Sequence, residues 1–161
     1  MFRAVSGVIL RPSFNRMMRS AVSSKGTQRH CCGITGTWWN QHDSCVDMEI
    51  QDDNGQGVLT GCYKTAVGSD PSHVGEKAPM VGFPPKKDGG TFGWVVNWKP
   101  SEDGDLSTTT WTAQCVTVKG KPVLQTTWIL RSEVEKAADR WESTLVAQDT
   151  FTRERPPKQD D

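Results

Sequence analysis

The sequence predicts an all-β chain closed into an eight-stranded antiparallel up-and-down β-barrel. Three observations carry that expectation. Short runs of alternating apolar and polar residues recur along the chain, as half-buried strands require. Turn formers, with fifteen Gly among them, separate runs that are rich in Thr and Val. The runs follow one another as hairpins, with no repeat of blade or solenoid length. An eight-stranded barrel has an interior that fits side chains plus one small ligand.

The first strand is expected over Gly33–Asn40, GITGTWWN, with Ile34, Gly36, Trp38 and Asn40 on one face. Ser44–Gln51 forms the second. Asp52-Asp53-Asn54-Gly55 is a turn, because Asn and Gly tolerate positive φ. Gly57–Val67 forms the third strand, with Tyr63, Thr65 and Val67 facing inward. Residues 68–90 are rich in Gly and Pro, with a short fourth strand near Glu76–Phe83. Thr91–Lys99 and Ser107–Val118 form the fifth and sixth strands, joined by a polar, Gly-containing turn. Lys119-Gly120-Lys121-Pro122 turns the chain into the seventh strand, Val123–Arg131. Ser132–Trp141 is the one helical candidate, a short turn with Ser132 and Glu135 in capping-box spacing. Leu145–Arg153 is the eighth strand, with Ala147, Asp149 and Phe151 on one face.

The 161 residues fit one domain with tails. Residues 1–30 hold Arg3, Arg11, Arg16, Arg19, Lys25 and Arg29 and no acid. They read as a targeting or disordered segment, in which a transit-like composition competes with a weakly apolar stretch at Phe2–Leu10. The barrel is expected over 31–153, and 154–161 as a disordered charged tail. Residues 31–161 carry all nineteen acids against thirteen basic residues, so no nucleic-acid partner is implied. No run approaches the ~20 apolar residues of a membrane span, so no membrane partner is implied either. Five cysteines, at 31, 32, 45, 62 and 115, lack metal-ligand spacing. A disulfide framework with one cysteine left over suits them better than reduced thiols, and places the protein in an oxidising compartment.

One face of the fifth and sixth strands mixes Trp94, Trp98 and Trp111 with the hydroxyls of Ser107 and Thr109. Aromatic walls with a few placed polar groups describe a small-molecule pocket. The motifs GITGTWWNQ (33–41), LTGCYKTAVG (59–68), FGWVVNWK (92–99), STTTWTAQC (107–115), TTWILR (126–131) and WESTLVAQDTFTR (141–153) occur in family order and at family spacing. On these motifs the chain resembles the avidin/streptavidin biotin-binding proteins from about Cys32 to Arg153.

That resemblance implies a barrel that binds biotin, without catalysis and with no cofactor or metal, usually as a homotetramer or dimer of dimers. It assigns Asn40, Ser44 and Tyr63 as donors to the ureido oxygen, and Asp149 and Thr65 as acceptors for the ureido N–H groups. Thr109 faces the sulfur, and Ser107 and Ser69 the valerate carboxylate. Trp98, Trp111 and Trp128 form apolar walls, with Val67 and Leu130 beside them. Trp141 matches a tryptophan supplied by a neighbouring subunit. Cys32 and Cys115 match the intrachain bridge of animal avidins. Cys45 and Cys62 are not part of that pattern. They face outward on adjacent strands, and a four-residue turn at Asp52–Gly55 puts them opposite each other. A two-residue turn at Asn54-Gly55 would instead put Cys45 opposite Lys64. The first case, with a second bridge, is the expectation, and Cys31 is then unpaired.

Two features depart from the family pattern. His42 stands near the ureido pocket where a small apolar residue is common, and Glu102, Asp103 and Asp105 crowd a turn near the ligand carboxylate. The other readings of the same barrel are a carrier for a different small ligand and a secreted protein-binding or inhibitory barrel. An enzyme is not expected, because Asp149 has no paired base or nucleophile in motif spacing. The cysteines and the family imply secretion, whereas the basic leader alone suggests a mitochondrial destination.

Overall fold

The structure, a computed structural model, describes residues 33–53, 56–68, 74–100, 104, 106–141 and 143–157. The N-terminal segment, Cys31, Cys32, Ser69 and the acids Glu102, Asp103 and Asp105 lie outside the described residues. The strands are β1 Gly36–Asn40, β2 Cys45–Asp53, β3 Gln56–Lys64, β4 Lys77–Phe83, β5 Thr91–Asn97, β6 Ser107–Val118, β7 Lys121–Ser132 and β8 Thr144–Thr152. Each pairs antiparallel with the next, and β8 returns to β1, closing the barrel in chain order. Closure leaves no free sheet edge for another chain to extend.

Alternation turns one set of side chains inward. Trp38, Val46, Met48, Leu59, Val96, Leu124 and Phe151 are fully buried, and Phe92, Trp94 and Trp111 join them. Gly61 in β3 has φ 150°, and a Cβ there would lie 1.8 Å from the Asp47 carbonyl oxygen. Only glycine lets β2 and β3 come this close.

Turn chemistry sets where the strands end. Lys119 and Gly120 both have positive φ, 50° and 79°, and Val118 pairs with Lys121. This is a two-residue hairpin of the kind that matches strand twist, so β7 begins two residues earlier than expected. The β2–β3 connection is as short. Pairing continues to Asp53↔Gln56, leaving two residues between the strands.

That register corrects the second disulfide. Cys45 pairs with Lys64, and Cys62 with Asp47, so the two cysteines are diagonal neighbours. Both are free thiols. Diagonal positions stand about 7–8 Å apart, beyond the roughly 4.4–6.8 Å Cα separation of a bridge. Asn-Gly favours the two-residue turn, because both of its central positions need positive φ.

The helical candidate also shrinks. Ser132 closes β7, its N–H donating to the Ser143 carbonyl at 2.8 Å, so it caps no helix. A single 3₁₀ turn remains, Ala137–Trp141.

The seam between β1 and β8 is the shortest, pairing Trp39↔Thr152 and Asn40↔Phe151. Arg153 reinforces it. Its guanidinium lies 3.7 Å from the Trp38 ring centroid and donates to the carbonyls of Gly33 (2.6 Å), Thr35 (2.9 Å) and Thr37 (3.1 Å). A planar cation can serve a ring face and several carbonyls at once.

Candidate functional site

The β1–β2 turn carries the first two polar groups. Asn40 ends β1, and its Oδ1 accepts the backbone N–H of His42 at 3.0 Å and of Ser44 at 2.8 Å. Its amide nitrogen is thereby aimed inward, where it donates to Asp149 Oδ2 at 3.3 Å. Ser44 is fully buried just before β2. Its hydroxyl oxygen accepts the Ala66 N–H at 2.9 Å.

Tyr63 projects inward from β3 and is 4% exposed. Burial above all, with the Asp149 charge nearby, pushes its phenol far above the ordinary tyrosine range. The group is therefore a neutral O–H donor at neutral pH. Its ring stacks on Trp111 at 4.8 Å and 28°, and meets Trp98 edge-on at 5.8 Å and Phe151 at 6.4 Å. Trp111 stacks in turn on Trp94 at 5.5 Å, and Trp94 on Phe92 at 5.9 Å. The indole N–H groups of Trp94 and Trp111 are buried without a hydrogen-bond partner.

Asp149, on β8, is 8% exposed and holds the carboxylate of the site. Asn40 binds one of its oxygens, and Gln41 Nε2 donates to the other at 2.8 Å. The Gln41 Oε1 accepts the Thr150 N–H at 3.0 Å, which fixes the amide orientation. Alternation gave no sign of Gln41, since its role comes from position at a strand end. Its place beside Asn40 in the motif was the one available cue.

Thr109 is buried on β6 and accepts the Trp98 indole N–H at 2.8 Å. Trp128 and Leu130 line β7 half-buried, and Trp128 packs against the core. Ser107 is half-buried at the start of β6.

Two predicted residues stand differently. Thr65 is buried, but its hydroxyl is turned onto its own chain, donating to the Val67 carbonyl and accepting the Val67 N–H. Val67 is 54% exposed rather than inward. The reason is common to both: β3 ends at Lys64, so alternation does not continue to residue 67. Ser69 is outside the described residues, and of Trp141 only the backbone is described, in the 3₁₀ turn.

One buried cluster thus brings together Asn40, Ser44, Tyr63 and Asp149, under aromatic walls and inside a closed barrel. The sequence pattern of the Avidin family matches residues 28–154. The chain belongs to the avidin family. It is 38% identical over 147 residues to avidin of Gallus gallus, covering 89% of this chain and 92% of that protein. To avidin-related protein 4/5 of Gallus gallus it is 40% identical over 124 residues, covering 76% and 78%. The crystal structure of Xenavidin superposes with TM-score 0.65 at 36% identity, covering 76% of this chain and 98% of that one. In this avidin-family barrel the polar cluster is drawn from β1, the β1–β2 turn, β3 and β8. β8 is distant in sequence from the other three and meets them because the sheet closes.

Proposed function

We propose that this protein is a non-enzymatic binder that sequesters biotin inside the barrel. The observation that carries the reading is the convergence of three donors and one carboxylate in a single buried cluster. Asn40 Nδ2, the Ser44 hydroxyl and the Tyr63 hydroxyl suit a ureido oxygen, on which they stabilise partial negative charge as an oxyanion hole does. Asp149 accepts one ureido N–H, and its charge makes that bond about twice as strong as a neutral one. Rotation of the Thr65 hydroxyl away from Val67 frees it for the other. Donation at one end of the ureido group and acceptance at the other reinforce each other.

Thr109 lies against the thioether, with Trp98, Trp111, Trp128 and Leu130 as the apolar walls. Ser107 and Ser69 take the valerate carboxylate. The Trp141 side chain completes the pocket of a neighbouring subunit in a homotetramer or dimer of dimers. Ile129 and Val146, cross-strand partners on the outer face and each roughly half exposed, support an assembly surface. Cys115 is buried, and its pairing with Cys32 belongs to the same reading, as does secretion. Titration calorimetry with biotin tests the function. Saturable binding at one site per chain is expected, and absence of heat at micromolar protein refutes it.

A further inference from the structure

We propose that Arg155 is a positioning residue for the turn that carries Asn40 and Ser44, acting by holding Asp43 in a left-handed backbone conformation. The inference rests on the reading of Asn40 and Ser44 as ligand donors.

Asp43 has φ 64°. A residue with a side chain adopts that region at a cost, although Asp tolerates it better than most. The turn depends on it. Asn40 N–H donates to the Ser44 carbonyl at 2.9 Å, Asp43 N–H donates to the Asn40 carbonyl at 3.2 Å, and the Asn40 side chain binds the turn from within. Asp43 directly precedes Ser44. A relaxed φ at Asp43 therefore moves the Ser44 hydroxyl and breaks the bonds that orient the Asn40 amide.

Arg155 grips this residue from outside the sheet. Its Nε donates to Asp43 Oδ1 at 2.7 Å and its Nη2 to Oδ2 at 2.6 Å, a two-point fork on the carboxylate. The guanidinium carbon lies 4.6 Å from the Trp39 ring centroid, so the indole fixes the plane of the fork. Side-chain exposures of 52% for Arg155 and 35% for Asp43 make this a surface pair. Surface pairs usually contribute little, but a bidentate fork stacked on a ring is the geometry that holds best. Arg155 follows β8 by three residues, and Arg153 already ties that stretch to β1. The end of the last strand thus fastens the first turn and, through it, the floor of the pocket.

The test uses the full chain and dissociation of a fluorescent biotin conjugate. Arg155→Gln is expected to speed dissociation about two- to fivefold, on the scale of a lost surface fork, and Arg155→Lys to fall between it and wild type. Asp43→Gly introduced into the Arg155→Gln background is expected to slow dissociation again, because glycine accepts the positive φ without a clamp. A merely stabilising ion pair predicts no such rescue. Wild-type dissociation in Arg155→Gln, or no rescue by Asp43→Gly, overturns the proposal. Amide exchange at Ser44 and Ala66 in the unliganded protein gives a second readout, faster in Arg155→Gln and slowed again in the double variant. If the wild-type chain takes up no biotin, the functional reading falls. The exchange rates then judge the clamp by themselves, and unchanged exchange in Arg155→Gln sinks it.

Discussion

Gln41 illustrates how much of the site lies one residue away from the groups proposed to meet a ligand. It occupies one Asp149 oxygen and is itself locked by the Thr150 N–H. Gln41→Ala is expected to weaken biotin binding about ten- to hundredfold, since it removes a hydrogen bond to a charged group worth roughly 1.5–3 kcal/mol. Calorimetry against wild type checks this. Tyr63 offers a cleaner optical test, because it is the one tyrosine of the chain. Its phenol is held neutral by burial first and by Asp149 second. A raised phenol value contributes nothing to pH-dependent stability below about pH 10, where the unfolded tyrosine begins to ionise. Above that, stability falls as pH climbs toward the folded value. No tyrosinate absorbance is expected while the barrel is folded, followed by a single rise on alkaline unfolding. A gradual titration near pH 10 in the folded protein contradicts the burial. Trp98, Thr109 and Tyr63 were legible from period-two alternation. Val67 was not, because alternation says nothing about where pairing stops.

At the scale of elements, the strands were read well and their ends less so. All eight strands follow from alternation and turn residues. Lengths at the hairpins depend on which central residues take positive φ, and one residue either way changes who faces whom. The Asn54-Gly55 pair carried the correct signal for a two-residue connection, and the four-residue alternative produced a bridge that the register forbids. Cys45 and Cys62 are accordingly expected to react with iodoacetamide in denaturant without reductant, read by mass spectrometry. Gly61 shows the opposite dependence, of an element on one atom. Gly61→Ala is expected to destabilise the barrel by about 1–3 kcal/mol or more, the cost of forcing extra volume into packed structure, seen as a lower Tm. A change under half of that would mean that β2 and β3 part easily.

For the whole molecule, closure is what makes a site out of scattered residues. Asn40 and Asp149 stand 109 positions apart and touch because β8 pairs with β1. The sequence implied that meeting only through the count of strands and the family motifs, since no local pattern records a long-range seam. The outer surface was less legible, because half-exposed Ile129 and Val146 read like ordinary strand residues. If they face a second subunit, Val146→Arg is expected to reduce the particle mass in light scattering while circular dichroism is unchanged. An unaltered mass removes that face from the assembly.

The column of rings from Tyr63 through Trp111 and Trp94 to Phe92 has an optical consequence. Neighbouring rings lie within 6 Å of each other, in surroundings stripped of water. Excitation absorbed anywhere along it passes to the lowest-energy indole, so the column emits as a unit rather than as separate chromophores. If the proposed guest rests on Trp111, it perturbs that common emitter, and the protein's own ultraviolet glow becomes the gauge of its occupancy.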